Sequence, residues 1–589
     1  MNAPSLPSQP SAPTANDPLS AAAWARFRAD IRAHTAARLP DAMVPARFVV
    51  LPELPKLPNG KIDRGRLARG PAEATPDSAH LPPETPEELR LTALWADVLD
   101  APRVGVRDNF FELGGDSLAA AQMAARLRAD TGARVNLRRF FENPTVEHLI
   151  ALLGGGGRTP DTVRRHPRSV PAADLAADAE LPADIAPEPG AAPPSGGPYR
   201  SVLLTGGTGY TGAFLLRALL DRSDAHLHVL VRADRPSAAI ARVRAAMERY
   251  GVWRAGDERR LTGVPGDLAR PHLGLDRNTH QRLARDIEMI VHNGAWSSYA
   301  LPYRRLKPVN VLGTREVLAL AARHRVKPVH YTSSLAVYPG HPGRHHWAED
   351  AATAPEGVVG GYRQTKWVGD RMMAEAHRRG IPTCVYRPGQ VSGAQSTGAC
   401  STDTFLNATL KGCVQLGAAL EFDVTLELTP VDFFADALAH VALGGRWHGT
   451  AFNVPAARTL SWHRLVELLG ECGYPLRLLP YRDWYRELSG AVERGEENEL
   501  ARFLPLFGEE APSEDLGYRG SEPEFATTNL RAALTGSGIS CGPPDRELID
   551  RFLTHFAATG YLPPPRGAVP PGTAPRVTPP STAPRRTTP

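Results

Sequence analysis

Two side chains four residues apart carry the first chemistry in this chain. In GYRQTKW, Tyr362 and Lys366 stand at i and i+4, so a helix would put them on one face. An ammonium beside a phenol lowers the phenol pKa from its reference of about 10, which makes tyrosine a usable acid. A hydroxyl, Ser334, ends the apolar run PVHYTSS upstream. A second chemistry is offered by Ser117 in FFELGGDSL. The run Gly114-Gly115-Asp116-Ser117-Leu118 closes a loop and opens a helix, where the dipole favours an attached phosphate. A serine at such a place is ordinarily an N-cap.

Both sites need elements to hold them. SVLLTGGTGYTGAFLLRALL runs from a short apolar strand into Gly206, Thr208, Gly209 and Gly212, then into an apolar-periodic helix. Between strand and helix, such glycines form a dinucleotide-binding turn, with the pyrophosphate on the helix N-terminus. Arg232 lies 20 residues beyond Gly212 (232 − 212 = 20), where NAD enzymes usually carry an acid for the ribose 2′-hydroxyl. A guanidinium there suits a 2′-phosphate, so NADPH is expected over NADH. Arg242 or Arg244 supplies a second clamp, or either belongs to a solvated helix face. His345-His346 in HPGRHHWAED reads as loop and not metal site, because no partner has ligand spacing.

The chain has 589 residues, a length that suggests about four units. Lys plus Arg is 68 and Asp plus Glu 63, a net charge of +5, too small for electrostatic wrapping of nucleic acid. Five cysteines without CxxC spacing read as reduced cytoplasmic thiols. The N-terminus lacks a basic and an apolar region, and no run of about 18 apolar residues occurs, so neither secretion nor membrane spanning is expected. Pro, Gly, Ser and Ala mark residues 1–20 and 563–589 as disordered and 154–198 as a semi-stiff linker. Ordered blocks remain at 21–71, 82–153 and 199–562.

Each block resembles a known family. LPDAMVPARFVVLPELPKLPNGKIDRGRL is similar to the end of an adenylation domain, in which the NGK lysine, here Lys61, reaches carboxylate and phosphate. The adenylation core is absent upstream, so Lys61 cannot catalyse alone. PEELRLTALWADVLD, FFELGGDSL and FFENPTVEHLIALL resemble the peptidyl carrier family, which implies 4′-phosphopantetheine on Ser117 and a four-helix bundle. The glycine turn, Arg232, Ser334 and Tyr362-xxx-Lys366, in that order, resemble the extended short-chain dehydrogenase/reductases. STDTFLNATLKGCVQLG and TPVDFFADAL narrow this to the thioester reductase domains that terminate nonribosomal peptide synthetases and related carboxylic acid reductases. The implied fold is a multidomain chain: a small α/β adenylation fragment, the carrier bundle and an α/β Rossmann reductase. The Rossmann part would span 199–440 and a smaller, mostly helical substrate and docking part 441–562.

The resemblance also implies roles. Asp267 and Leu268 stand at the adenine-binding segment, and Asn293 and Ala295 at the backbone contact near the cofactor. Lys366 would hold the nicotinamide ribose as well as tune Tyr362, the proton donor. Ser334 would add a hydrogen bond to the developing oxyanion. Arg387-Pro388-Gly389 would shape the nicotinamide pocket. The expected reaction is reductive release of an acyl or peptidyl thioester to an aldehyde, with alcohol as a further product. The expected partners are a phosphopantetheinyl transferase and an upstream synthetase or adenylation protein in trans. Weighed against this are a cyclising release domain, a carboxylic acid reductase completed in trans and a docking scaffold. The intact Tyr362, Lys366 and glycine turn disfavour the first and the last.

Overall fold

The computed structural model describes residues 81–154, apart from scattered positions that include 114–119, and residues 169–565, apart from 299–300, 340–342, 351–353, 502–503, 505–517 and 520. Lys61, Ser117 and the expected adenylation fragment lie outside these. The chain divides into two compact units, residues 1–160 with 485–511 and residues 161–484 with 512–589.

In the first unit, helix α1 (Pro86–Leu99) starts with TPEE. Thr85 Oγ1 accepts the Glu88 N–H at 3.2 Å while Glu88 Oε2 accepts the Thr85 N–H at 2.9 Å, a reciprocal capping box with proline at the first helical position. Leu91 and Trp95, one turn apart, are fully buried. Trp95 meets Phe110 edge-on at 4.7 Å and Phe140 at 5.7 Å. Val146 and Leu149 of α2 (Val146–Gly154) close this core.

The second unit opens with α3 (Ala172–Ala179). From Ser201 strand and helix alternate: β1 (Ser201–Thr205), α4 (Tyr210–Arg222), β2 (His226–Val231), α5 (Pro236–Arg249), β3 (Leu261–Pro265), α6 (Arg277–Asp286), β4 (Met289–His292), α7 (Tyr303–Lys307), α8 (Gly313–Ala322), β5 (Val329–Thr332), β6 (Gly343–Trp347), α9 (Gly361–Arg378) and β7 (Thr383–Pro388). Beyond them come β8 (Gln390–Ser392), α10 (Phe405–Leu416), β9 (Leu428–Pro430), α11 (Val431–Gly444), β10 (Ala451–Val454), α12 (Trp462–Glu471), β11 (Ser521–Phe525) and α13 (Arg546–Ala558).

Seven strands form one parallel sheet in the order β10-β7-β5-β4-β1-β2-β3. Successive side chains feed opposite layers, as strand period demands. Val202 and Leu204 join a core with α4, α5 and α11, and Leu203 joins another with α6, α8 and α9. This is the Rossmann architecture expected from the glycine turn, with the strand order reversing between β1 and β4.

Three expectations need correction. β10 lies past residue 440, yet it completes the main sheet, because α11 packs beside α4 and returns the chain parallel to the free edge of β7. His345-His346 is not loop: β6 pairs with β11 in parallel, Gly343 to Ser521 through Trp347 to Phe525, a partner too distant in sequence to foresee. Of the expected semi-stiff linker over 154–198, residues 169–198 are instead part of the second unit. Leu175, Leu181 and Ile185 are buried in the core with Leu318, Trp367 and Val368, and Asp178 accepts from Tyr303 Oη and Lys307 Nζ, each at 2.7 Å.

Candidate functional site

The site lies beyond the carboxyl ends of β1 and β4, the paired neighbours at which the strand order reverses, where open α/β folds bind ligands. Gly206 has φ +75°, and a Cβ there would lie 2.7 Å from Gly294 Cα. A Cβ on Gly212 would lie 2.0 Å from the Gly206 carbonyl oxygen. The turn and the Asn293–Ala295 loop therefore touch backbone to backbone, with Thr208 half-buried and Gly209 exposed on the open side. Leu268 packs on the same loop, since a Cβ on Gly294 would lie 2.6 Å from its Cδ1. Asp267 caps its own turn: its Oδ1 accepts the Ala269 N–H at 2.9 Å.

A buried hydrogen-bond chain fixes this floor. Thr314 Oγ1 donates to the Asn310 carbonyl at 2.7 Å, so it accepts from His292 Nε2 at 3.0 Å. His292 Nδ1 then accepts from Thr205 Oγ1 at 2.7 Å, and Thr205 Oγ1 accepts the Gly294 N–H at 2.9 Å. The pattern requires a neutral imidazole. Burial, with Lys366 adding to it, pushes His292 down to about 3.

Arg232 follows β2 directly and is exposed. Arg242 Nη1 bonds the Arg232 carbonyl, so Arg242 is the arginine that α5 brings to this corner. Arg244 is engaged elsewhere, with Glu248 at 2.7 Å and over the Trp253 ring at 5.4 Å.

On the opposite side of the crevice, α9 carries Tyr362 and Lys366. A Cβ on Gly361 would lie 2.5 Å from both the Leu301 carbonyl oxygen and the Tyr303 nitrogen, so glycine lets the helix start close to that segment. Lys366 is 2% exposed; its Nζ donates to the Thr332 carbonyl at 2.7 Å and stands 5.9 Å from the Tyr362 ring centre. Burial pushes this ammonium down to about 7, against the opposing pull of Asp370. Ser334 begins the short turn Leu335–Val337, where its Oγ accepts the Ala336 N–H at 3.1 Å, leaving the hydroxyl proton to donate.

Asp370, one further turn along α9, was not anticipated, although Tyr362, Lys366 and Asp370 at i, i+4 and i+8 share a face. The Arg387 guanidinium grips it in a fork, Nε to Oδ2 at 2.7 Å and Nη2 to Oδ1 at 2.9 Å, and Ser333 Oγ donates to Oδ2 at 3.0 Å. Burial would raise this carboxyl, but Arg387 outweighs it and holds it below its usual range. Arg387 thus serves α9 as well as the adjoining Pro388-Gly389 bend. That bend packs on a buried acid: a Cβ on Gly389 would lie 2.4 Å from Glu427 Cγ. Burial pushes Glu427 up to about 7. Beyond β8 lies an apolar recess of about 30 Å³ among Leu406, Leu410, Phe552 and Phe556, which Ser392 also lines with an unpartnered Oγ.

The residues present fit a nicotinamide dinucleotide. The glycine cradle has no room for a Cβ, Arg232 and Arg242 stand at the end of β2, and Lys366 has donors left beyond the one it gives to Thr332.

Comparison with known proteins agrees with this geometry. Residues 90–153 match the family described as phosphopantetheine attachment site, and residues 204–438 match the NAD-binding family described as male sterility protein. Isonitrile lipopeptide synthase of Streptomyces coeruleorubidus is 36% identical over 560 residues, covering 91% of this chain and 37% of that protein. A linear gramicidin synthase of Brevibacillus parabrevis is 33% identical over 545 residues, covering 90% of this chain and 10% of its own length. The chain therefore spans well under half of these relatives. Among solved structures, the terminal R domain from the myxalamid PKS-NRPS biosynthetic pathway matches with a TM-score of 0.62 at 37% identity, covering 67% of this chain and 99% of that one. With a carrier match, a nicotinamide-binding fold and this domain covered almost end to end, the chain belongs to the terminal carrier-reductase modules of nonribosomal peptide synthetases.

Proposed function

We propose that the chain carries an acyl or peptidyl thioester on phosphopantetheine at Ser117 and releases it by reduction, giving an aldehyde. The observation that supports this reading is the Lys366 ammonium, 5.9 Å from the Tyr362 ring centre and bonded to the Thr332 carbonyl two residues before Ser334, in a sheet whose glycine turn has no room for a Cβ at Gly206 or Gly212. Bound NADPH would supply the hydride; Arg232 and Arg242 would hold its 2′-phosphate, and the Gly206–Gly212 turn its pyrophosphate. Asp267, Leu268, Asn293 and Ala295 would border the adenosine and nicotinamide ends.

The chain's own groups do the rest. Ser334 and Tyr362 hydroxyls bind the thioester carbonyl oxygen and stabilise the charge that grows there. Lys366, in its ammonium form, lowers the cost of Tyr362 giving up its proton to that oxygen. The C–S bond would then break, with the oxygen's proton passing to the departing sulfur, so that the acyl group leaves as aldehyde and the arm again ends in its free thiol. The same groups would serve a second reduction to alcohol. The remaining readings follow from this one. Residues 82–153 would form a four-helix carrier and 21–71 an adenylation fragment whose Lys61 acts only together with an adenylation core. A phosphopantetheinyl transferase installs the arm, and an upstream synthetase loads it. Five free cysteines suit a cytoplasmic setting. Among the described residues no helix is long and apolar enough to cross a membrane.

The test uses the holo chain loaded with a model aminoacyl thioester, following NADPH absorbance and the mass of the product. NADPH consumption with aldehyde or alcohol is expected. A cyclised product formed without NADPH consumption overturns the reading.

A further inference from the structure

Gly360, which precedes α9, has φ +97° and no side chain with which to cap the helix. A contact to this residue comes from nearly two hundred residues upstream. The Gly360 N–H donates to Ser169 Oγ at 2.8 Å. Next to it, Val170 and Gln364 form a closed pair: the Val170 N–H donates to Gln364 Oε1 at 2.9 Å and Gln364 Nε2 donates to the Val170 carbonyl at 2.9 Å. Gln364 Nε2 also reaches the Val358 carbonyl at 3.1 Å. Ser169 and Val170 are the first residues described after Gly154, the end of the carrier's last helix.

Gln364 lies between Tyr362 and Lys366 in sequence, about 200° around the helix from Tyr362. It is 2% exposed, and its three side-chain bonds all go to backbone. An amide buried at this depth is costly unless bonded, and an aliphatic residue of the same size would fill the space without that cost. The amide is therefore suited to registering one backbone against another. We propose that Gln364 is a positioning residue: through it, and through Ser169, the segment that joins carrier to reductase fixes the first turn of α9 and so the placement of the Tyr362 phenol. This rests on the reductive reading above.

The test uses the full holo chain with NADPH and a soluble acyl-pantetheine thioester, so that delivery by the carrier plays no part. The variants are Ser169→Ala, Ser169→Thr and Gln364→Leu. Misplacement of a reacting group by an ångström costs up to about a hundredfold, so Ser169→Ala and Gln364→Leu are expected to lower kcat by about ten- to a hundredfold. KM for both substrates should stay within about threefold, since neither residue touches them, and Ser169→Thr should restore the rate. Amide exchange at residues 361–366 should rise in the same two variants, with β1 and α4 unchanged. A lowered Tm with unchanged kcat would make the contact merely structural and overturn the proposal, as would unchanged exchange at 361–366. If Gln364→Leu fails to fold, Ser169→Ala decides. A wild-type chain inert to NADPH would refute the reductive reading instead, and the exchange comparison would still decide the contact.

Discussion

Lys366 governs how the site responds to pH. Its ammonium is buried and titrates at about 7, while in the unfolded chain it keeps its proton to its ordinary value of 10.5. Raising pH through 7 would discharge it in the folded state and, on the proposed mechanism, weaken its support of the Tyr362 phenol. The expected kcat/KM profile therefore falls above about pH 7, and Asp370→Asn, which removes the charge that favours the ammonium, moves that limb to lower pH. Tyr362→Phe should reduce turnover by about 10²–10⁴-fold while a fluorescence titration still shows NADPH binding. Glu427 makes a separate contribution to stability. Its folded carboxyl titrates at about 7 and its unfolded one at 4.5, so between these values the folded state holds the extra proton. Stability should fall as pH rises through that window, and Glu427→Gln should flatten the fall in denaturant titrations. That Tyr362 and Lys366 share a helical face and that Ser334 stands just past the end of β5 was legible, because local spacing carries such geometry. Asp370 could have been found the same way. Glu427 could not, because its burial comes from segments far along the chain.

At the scale of elements, the glycine turn is the firmest link between sequence and site. Gly212→Ala places a methyl 2.0 Å from the Gly206 carbonyl oxygen, so the first turn of α4 must move. The expected result is loss of NADPH binding in a fluorescence titration; retained affinity would show that the turn can yield. The turn was readable because strand, glycines and helix are contiguous. The pairing of β6 with β11 and of β10 with β7 was not, since strand partners far apart leave no local mark. The segment at 169–198 was hidden differently. Leu175, Leu181 and Ile185 are sparse among Pro, Ala and Asp, and an average over the stretch conceals three well-placed anchors.

At the scale of the whole molecule, the proposed function would make delivery from carrier to reductase an intramolecular event, with effective concentrations that reach the millimolar range for short linkers. Ser117→Ala should abolish reduction of carrier-borne acyl groups and leave reduction of a soluble acyl-pantetheine thioester intact, as followed by NADPH absorbance. Equal loss of both activities would mean that the substitution harms more than loading.

The anchored segment ahead of β1 also sets where this reductase can be cut and grafted. Composition invites a junction at residue 199, just before the sheet begins. A chimera built there would discard Leu175, Leu181 and Ile185, bare the α8 and α9 surfaces they cover and strip the serine from the start of α9. A graft that begins upstream of Ser169 would keep these contacts, and a foreign carrier fused at that point should leave α9 with its native support.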